Sequence, residues 1–331
     1  MPTSKDVARV AGVSQSTVSY VLSGKRPISE KTRRLVEDAI AELTYQPNAG
    51  ARALASQRTN VVALVTPFRS ALGAHGLMAF VEEIALAARS HDHDVLMVTA
   101  DEGTAGLQRV AGRALCDAIV VMEVRTRDPR AEVARGLRLP TLFIGVPEDA
   151  EGLHCIDFDF EEAARLLVGE LAAAGHRQLA AVGWGPEAAE RDINYLPRFR
   201  RAAEEAARTA GVGLTWAAPA REDVGRAVAD LLAGPGRPPG LLLAAGTGPA
   251  LEAVRGQGLR PGRDVDVVAL ATDEEALAQP VPLTAVSPHP REVSRQAMQW
   301  LFELLEDPAA PPRTRRFPAA LVRRASVRTA R

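Results

Sequence analysis

The fold class predicted for this chain is α/β: a small all-α head, then two doubly wound parallel-sheet lobes. Three observations predict it. The first 45 or so residues break into short amphipathic stretches, each with its own cap and stop signal. From about residue 61, apolar runs of strand length alternate with helical stretches, the pattern of βαβ units. A division near 155–162 separates these runs into two sets.

The head is read in order. Thr3 and Asp6 have the spacing of a capping box, with Asp for the usual Glu. Val7, Ala8, Val10 and Ala11 form a helical apolar stripe that Gly12 ends. Ser14 can cap a second helix with Val18, Val21 and Leu22 facing inward. Gly24 and Pro27 break it. Ser29 caps a third helix from about Glu30 to Leu43, whose buried side is Leu35, Val36, Ala39, Ile40 and Leu43. Pro47 ends the unit, and residues 48–57 have the length of one more helix. So short a helix is marginal in water and needs a partner to be ordered.

In the body, strands are expected at 61–68, 94–100, 118–122, 141–146, 178–184, 240–245 and 266–270. Runs so uniformly apolar belong in parallel sheets covered on both faces. Ligands of such folds bind at the C-terminal ends of the strands. No internal sequence repeat is visible, and PAAPPR at 308–313 reads as a short linker.

Composition bounds the function. Apolar residues make up 47% and charged residues 24%, ordinary globular values that argue against a mainly disordered chain. No run of 18 uncharged apolar residues predicts a membrane helix, and the start MPTSKDVARV has no apolar core of a secretory signal. Two cysteines, Cys116 and Cys155, are too few for a disulfide framework, so a cytoplasmic setting is expected. The net charge of −1 hides a division. Residues 1–60 hold nine Lys/Arg against five Asp/Glu, net +4. Residues 313–331 hold seven Arg and no acid, and the stretch between has 24 Arg against 36 acids, net −12. A basic head fits a phosphate partner, while an acidic body resists non-specific contact with DNA.

Two short helices joined by a tight glycine turn have the form of a helix-turn-helix. The outer face of the second carries Gln15, Ser16, Ser19, Tyr20 and Ser23, with almost no charge. Gln can bond adenine bidentately and Ser can serve several bases. Ser14, Thr17 and Ser19 can donate to phosphates, and Lys5, Lys25, Arg26, Lys31 and Arg33 attract the backbone. Residues 6–59 resemble the head of the LacI/GalR repressors. The shared elements are D-V-A at 6–8, A-G-V-S at 11–14, T-V-S at 17–19, V-L-S-G at 21–24, I-S-x-x-T-R at 28–33, Y-x-P-N at 45–48 and A-R-x-L at 51–54. AAGHRQLAAVG (173–183), GLRPGRDVDVVAL (258–270), PLTAVS (282–287) and FPAALVRRAS (317–326) continue the likeness in family order.

The resemblance implies a sequence-specific transcriptional regulator, a repressor that binds a pseudo-palindromic operator as a homodimer. The second helix would enter the major groove with Gln15 and Ser16 at the bases, and Thr32 counts among the DNA-facing residues. Tyr20 stands where the family commonly has Arg, and a phenol cannot make the bidentate guanine contact. The segment 48–56 matches the family's hinge helix. Asn48 begins it, Ala51 lies beside the wedge, and Leu54 is the residue that would insert into the minor groove. Domains are expected at 1–47 (helix-turn-helix), 48–59 (hinge) and 60–331. The last has one lobe at about 60–158 and 287–312 and the other at about 159–286 and 313–328. The Arg-rich tail falls in closing strands, where it could pair with the acidic body.

The body resembles the family's effector domain, which is related to periplasmic binding proteins, and a small molecule between the lobes would shift a two-state equilibrium. The chain departs from the sugar-binding pattern. An often acidic slot is Gly145, an Asn-Asp pair is Gly246 and Thr247, and an aromatic-Asp-Asp stretch reads Leu270, Ala271 and Thr272. Cleft candidates are Phe68, Arg69, Asp159, Trp184, Asn194, Tyr195 and Thr247, with Arg191 or Arg198 at the family's arginine position. No cofactor and no metal site is expected. HDHD (91–94) reads as a solvated turn, and GTG (246–248) lacks the rest of a dinucleotide fingerprint. No G-x-S-x-G or H-E-x-x-H points to an enzyme. Two alternatives stay open: a core that answers to a protein partner or to no ligand, and a free solute-binding protein.

Overall fold

The computed structural model describes residues 2–23, 26–45, 58–67, 73–234 and 238–328. The chain divides into two units, Met1–Asn60 and Val61–Arg331. In the first, α1 (Ser4–Ala11), α2 (Gln15–Ser23) and α3 (Glu30–Glu42) pack around Val7, Val18 and Val36, all fully buried. Their ends follow the sequence signals. Thr3 and Asp6 cap α1 reciprocally, and Gly12 ends it at a left-handed φ of 65°. Ser29 accepts from the Thr32 amide at 3.2 Å to start α3.

Leu22 and Leu35 depart from expectation: they are 43% and 45% exposed rather than core. Val10, expected in the stripe of α1, is 38% exposed. Three short helices enclose one small interior, and only the residues at the centre of each apolar face reach it.

The second unit contains β1 (Val61–Thr66), α4 (Gly73–Ser90), β2 (Asp94–Thr99), α5 (Gly103–Gly112), β3 (Ala118–Val121), α6 (Pro129–Gly136), β4 (Thr141–Ile144) and β5 (His154–Phe158). It continues with α7 (Phe160–Ala173), β6 (Gln178–Val182), α8 (Pro186–Glu190), α9 (Tyr195–Thr209), β7 (Gly213–Ala217), α10 (Val224–Leu232), β8 (Gly240–Leu243) and α11 (Thr247–Gly256). Then come β9 (Val267–Leu270), α12 (Asp273–Leu277), β10 (Thr284–Val286), α13 (Pro290–Glu306), β11 (Thr314–Phe317) and β12 (Leu321–Val322).

These strands form two six-stranded sheets, in the orders β2-β1-β3-β4-β5-β11 and β7-β6-β8-β9-β10-β12. All pairings are parallel except β10 with β12. The first five strands of each sheet therefore share one order without repeating sequence, because what recurs is the apolar strand pattern and not the residues. The sixth is parallel in the first sheet and antiparallel in the second. The first crossover, from Phe158 to Phe160, falls inside the expected division.

The tail corrects the expected lobe boundary. Thr314–Phe317 pairs with β5 in the first sheet, not the second, and the chain crosses only afterwards to pair Leu321 and Val322 with β10. The apolar count of TRRF is too low to mark it as a strand, and β5 supplies its hydrogen-bonding edge.

The tail arginines meet acids of the body. Arg323 reaches Glu170 at 2.8 Å, Arg328 reaches Asp266 at 2.7 Å and Arg316 reaches Glu161 at 3.7 Å. Arg313 and Arg315 share Glu303 at 3.8 and 4.0 Å, and Arg324 pairs with Asp273. The Asp266 carboxylate is buried and also accepts from His176 at 2.7 Å.

Candidate functional site

In the head, Ser14 is a cap. Its hydroxyl accepts from the Thr17 amide at 3.1 Å and is bonded to the hydroxyls of Ser16 (2.7 Å) and Thr17 (2.8 Å). Gln15 donates from Nε2 to the Ser4 hydroxyl at 2.8 Å, which ties the first turn of α2 to α1. Lys5, Gln15, Ser16 and Ser19 are exposed, and Thr17, Tyr20 and Thr32 are half-buried. The Thr32 hydroxyl is bonded to that of Ser29 at 2.7 Å. The Arg26 guanidinium lies over the Tyr20 ring, 5.2 Å from its centroid, so a cation stands beside the phenol. The outer surface of α2 thus offers neutral hydrogen-bonding groups on a rigid, capped helix. The side chain of Ser23, and Asn48, Ala51 and Leu54, lie outside the described residues, as do Phe68 and Arg69.

In the body, a cleft with about 660 Å³ of empty space, part of it open solvent, lies between the lobes. Pro67, Glu123, Gly145 and Asp157 enter it from the C-terminal ends of β1, β3, β4 and β5. Those are the ends at which doubly wound sheets bind ligands, and β1 and β3 flank the switch point of strand order. Phe160, Asn194 and Tyr195 enter it from the second lobe.

Backbone contacts close the lobes on each other at one side. Thr126 N donates to Asp192 O at 2.8 Å, and Asn194 N donates to Val124 O at 3.0 Å. Asn194 also donates from Nδ2 to Val146 O at 2.5 Å.

Of the expected cleft residues, Asn194 and Tyr195 line this cavity. Arg191 reaches its edge through an ion pair to Glu123 at 2.5 Å. Arg198 joins the lobes. It donates to Asp157 of β5 at 2.6 Å and to both oxygens of Glu161 on α7 at 2.8 and 2.6 Å. The structure does not bring the other three to the cavity wall. Trp184 packs behind it, edge-on to Tyr195 at 5.4 Å and to Phe199 at 5.5 Å. Asp159 caps α7, accepting from the Glu162 amide at 2.9 Å. Thr247 is buried at the start of α11.

Three residues that sequence reasoning did not single out define the chemistry. Glu123 follows the apolar strand β3, where a charge at a parallel strand's C-terminal end was the available signal. Burial pushes its carboxyl up to about 7, against the attraction of Arg191, Arg130 and Arg125. Its backbone stands at φ 48°, and Arg130 Nη2 donates to its carbonyl at 2.9 Å. Burial likewise pushes Asp157 up to about 6, against Arg198. Burial opposes Glu161 as well, but its hydrogen bonds from Arg198 outweigh this and hold it below the usual range. Gly145 has φ 123°, and a Cβ there would sit 2.9 Å from Val124. The loss of the family's acidic residue at this slot therefore goes with a backbone that only glycine adopts freely.

Tyr195 Oη and Glu123 Oε2 are buried and have no hydrogen-bond partner. Burial and the neighbouring Glu123 and Asp157 charges push the Tyr195 hydroxyl up, so it stays protonated. Both cysteines are buried, with thiols pushed up to about 11 (Cys116) and about 12 (Cys155) by desolvation, which makes them poor nucleophiles. His91, of the HDHD turn, stacks on Phe302 at 3.9 Å.

Comparison with known proteins decides the class. Residues 3–48 match the family described as bacterial regulatory proteins, lacI family, and residues 168–327 match a periplasmic binding protein-like domain. The HTH-type transcriptional regulator AglR of Rhizobium meliloti (strain 1021) is 31% identical over 284 residues, covering 80% of this chain and 76% of AglR. The chain belongs to the LacI family. Catabolite control protein A of Staphylococcus xylosus is 30% identical over 181 residues, 54% of each chain. The lac repressor dimer bound to operator and an anti-inducer superposes with a TM-score of 0.83 at 24% identity, covering 99% of both chains. A CelR–cellobiose complex superposes at 0.66 and 24%, covering 98% of this chain and all of the other. This LacI-family chain is a sequence-specific DNA-binding transcriptional regulator with an effector-binding domain, and its relatives are regulators, not enzymes. No helix among the described residues is long and apolar enough to cross a membrane.

Proposed function

We propose that this regulator is a cytoplasmic repressor that binds a pseudo-palindromic operator as a homodimer. Helix α2 lies in the major groove, with Gln15 and Ser16 at base edges. Lys5, Ser14, Thr17, Ser19, Tyr20, Ser23 and Thr32 face the backbone or neighbouring bases, and Asn48, Ala51 and Leu54 act at the minor groove. The observation that carries this is the exposed, uncharged polar surface of α2 on a capped two-helix unit. The operator-bound dimer of the similar lac repressor supports the two-fold arrangement. A small molecule between the lobes modulates binding. A cavity walled by residues of both lobes at the C-terminal strand ends supports that reading.

Selection of bound fragments from a random DNA library tests the proposal. Two inverted half-sites with their centres about one helical turn apart are expected. Enrichment of a single asymmetric site, or retention of operator binding after removal of residues 1–60, would sink it.

A further inference from the structure

Helices α1 and α2 meet through their first residues. Thr3 is the N-cap of α1, so Ser4 is its first helical residue, and Ser14 caps α2 directly before Gln15. Gln15 Nε2 donates to Ser4 Oγ at 2.8 Å across eleven residues of chain. Each end of this bond stands on a fixed helix start. Thr3 and Asp6 cap α1 reciprocally, and Ser14 accepts from the Thr17 amide at 3.1 Å. Val7 of α1 and Val18 of α2 are fully buried in the shared core. Ser4 is half-buried, while Gln15 is exposed on the outer surface of the head.

The Gln15 amide carries two N–H donors and one carbonyl acceptor. Ser4 takes one N–H. One donor and the carbonyl remain. Adenine presents the matching pair in the major groove, the N7 acceptor and the N6 amino donor. Guanine presents two acceptors there, N7 and O6, and gives the carbonyl nothing to accept. The bond to Ser4 also removes rotamers that a free glutamine would have to give up at a base edge.

We infer that Ser4 is a positioning residue for base recognition, whose hydroxyl holds the Gln15 amide ready for adenine. The inference rests on the reading of α2 as the helix at the base edges. Ser4 meets no base itself and acts through Gln15. A neutral hydrogen bond favours one arrangement about two- to tenfold, and the effect on affinity has the same size.

The test uses the full chain. The natural chain first selects its sites from a random DNA library, and Gln15→Ala repeats the selection. Gln15→Ala is expected to lose a preference for adenine in each half-site. Ser4→Ala should bind the natural chain's selected fragment about two- to tenfold more weakly and lose part of the same preference. Its affinity for random DNA should not change, which shows that the head is folded and the phosphate contacts remain. In the Gln15→Ala background, Ser4→Ala should change neither affinity, a result that damage to the head would not give. Ser4→Thr keeps the hydroxyl and should bind like the natural chain. An equal loss in both backgrounds, or a loss on random DNA, makes Ser4 a phosphate contact or a folding residue and overturns the inference. Unchanged binding in Ser4→Ala overturns it too. If Gln15→Ala leaves the selected sequence unchanged, the placing of Gln15 at the bases fails, and the inference with it. If Gln15→Ala changes that sequence and Ser4→Ala does not, the reading of α2 stands and only the positioning role fails.

Discussion

Replacing Glu123 with glutamine should stabilise the body at alkaline pH and leave it unchanged in acid. The carboxyl titrates at about 7 in the folded chain against an ordinary 4.5. Folding therefore favours the protonated form. The stability this form contributes is complete below the unfolded value and is lost as pH rises through the folded one. A glutamine keeps the neutral shape at every pH. Linkage between the two values makes the variant more stable by about 0.2 kcal/mol at pH 4, about 2 at pH 6 and about 3 at pH 8, as order-of-magnitude figures. The attraction of Arg191, Arg130 and Arg125 is already contained in the folded value, so its loss is not counted twice. The backbone does not change the sum, because glutamine inherits the same positive φ. Urea denaturation of both chains between pH 4 and pH 8 measures the difference. A gap that does not vary with pH, or a glutamine variant that is less stable at pH 8, would refute the reasoning.

Three further outcomes follow from single contacts. Arg198→Leu leaves Asp157 and Glu161 without their shared guanidinium, and should cost about 3–5 kcal/mol by urea titration at pH 8. The loss should shrink towards pH 4, where Asp157, already raised to about 6, takes up its proton. Gly262→Ala puts a Cβ against the Ala325 carbonyl at a φ of 73°, and should lower the melting temperature of the body by more than 5 °C, roughly the effect of 2 kcal/mol in a domain of this size. Gln15→Ala should weaken operator binding by about 1–3 kcal/mol while leaving affinity for random DNA unchanged, because base contacts specify and phosphate contacts do not. Equal loss on both DNAs would remove Gln15 from the bases.

What was legible in the sequence divides along physical lines. The caps at Thr3, Ser14 and Ser29 and the stop at Gly12 were readable because each depends on residues at most three positions apart. The exposure of Leu22 and Leu35 was not, since periodicity names a face but not how much of it finds a partner. Seven strands announced themselves as apolar runs. The strand β5 did not, because His154 and Asp157 interrupt it, and β7 is a half-exposed edge. The charge of the tail was plain from composition, yet its partners were not. Arg323 meets Glu170 across 153 residues of chain. The site divides in the same way. Asn194 and Tyr195 were found through the family likeness, whereas Glu123 and Asp157 acquire their meaning only when four strand ends converge.

That convergence bears on how a bound molecule could reach the DNA-binding head. Three segments carry the chain between the lobes: Phe158 to Phe160, Val286 to Pro290, and Phe317 to Leu321. The cavity wall includes Phe158 and Phe160 from the first and Pro288 from the second, so it is built from two of the three hinges and from both lobes. Arg198 spans the first crossover, with Asp157 before it and Glu161 after it. An occupant of the cavity therefore touches the segments that must change dihedral angles when the lobes reorient. A ligand shifts such an equilibrium only by its difference in affinity between the two arrangements. Tyr195 comes from one lobe and Glu123 from the other, so an occupant in contact with both walls loses contacts when the lobes separate. Contact with both lobes supplies the required difference, whereas a ligand held by a single lobe would bind tightly and move nothing.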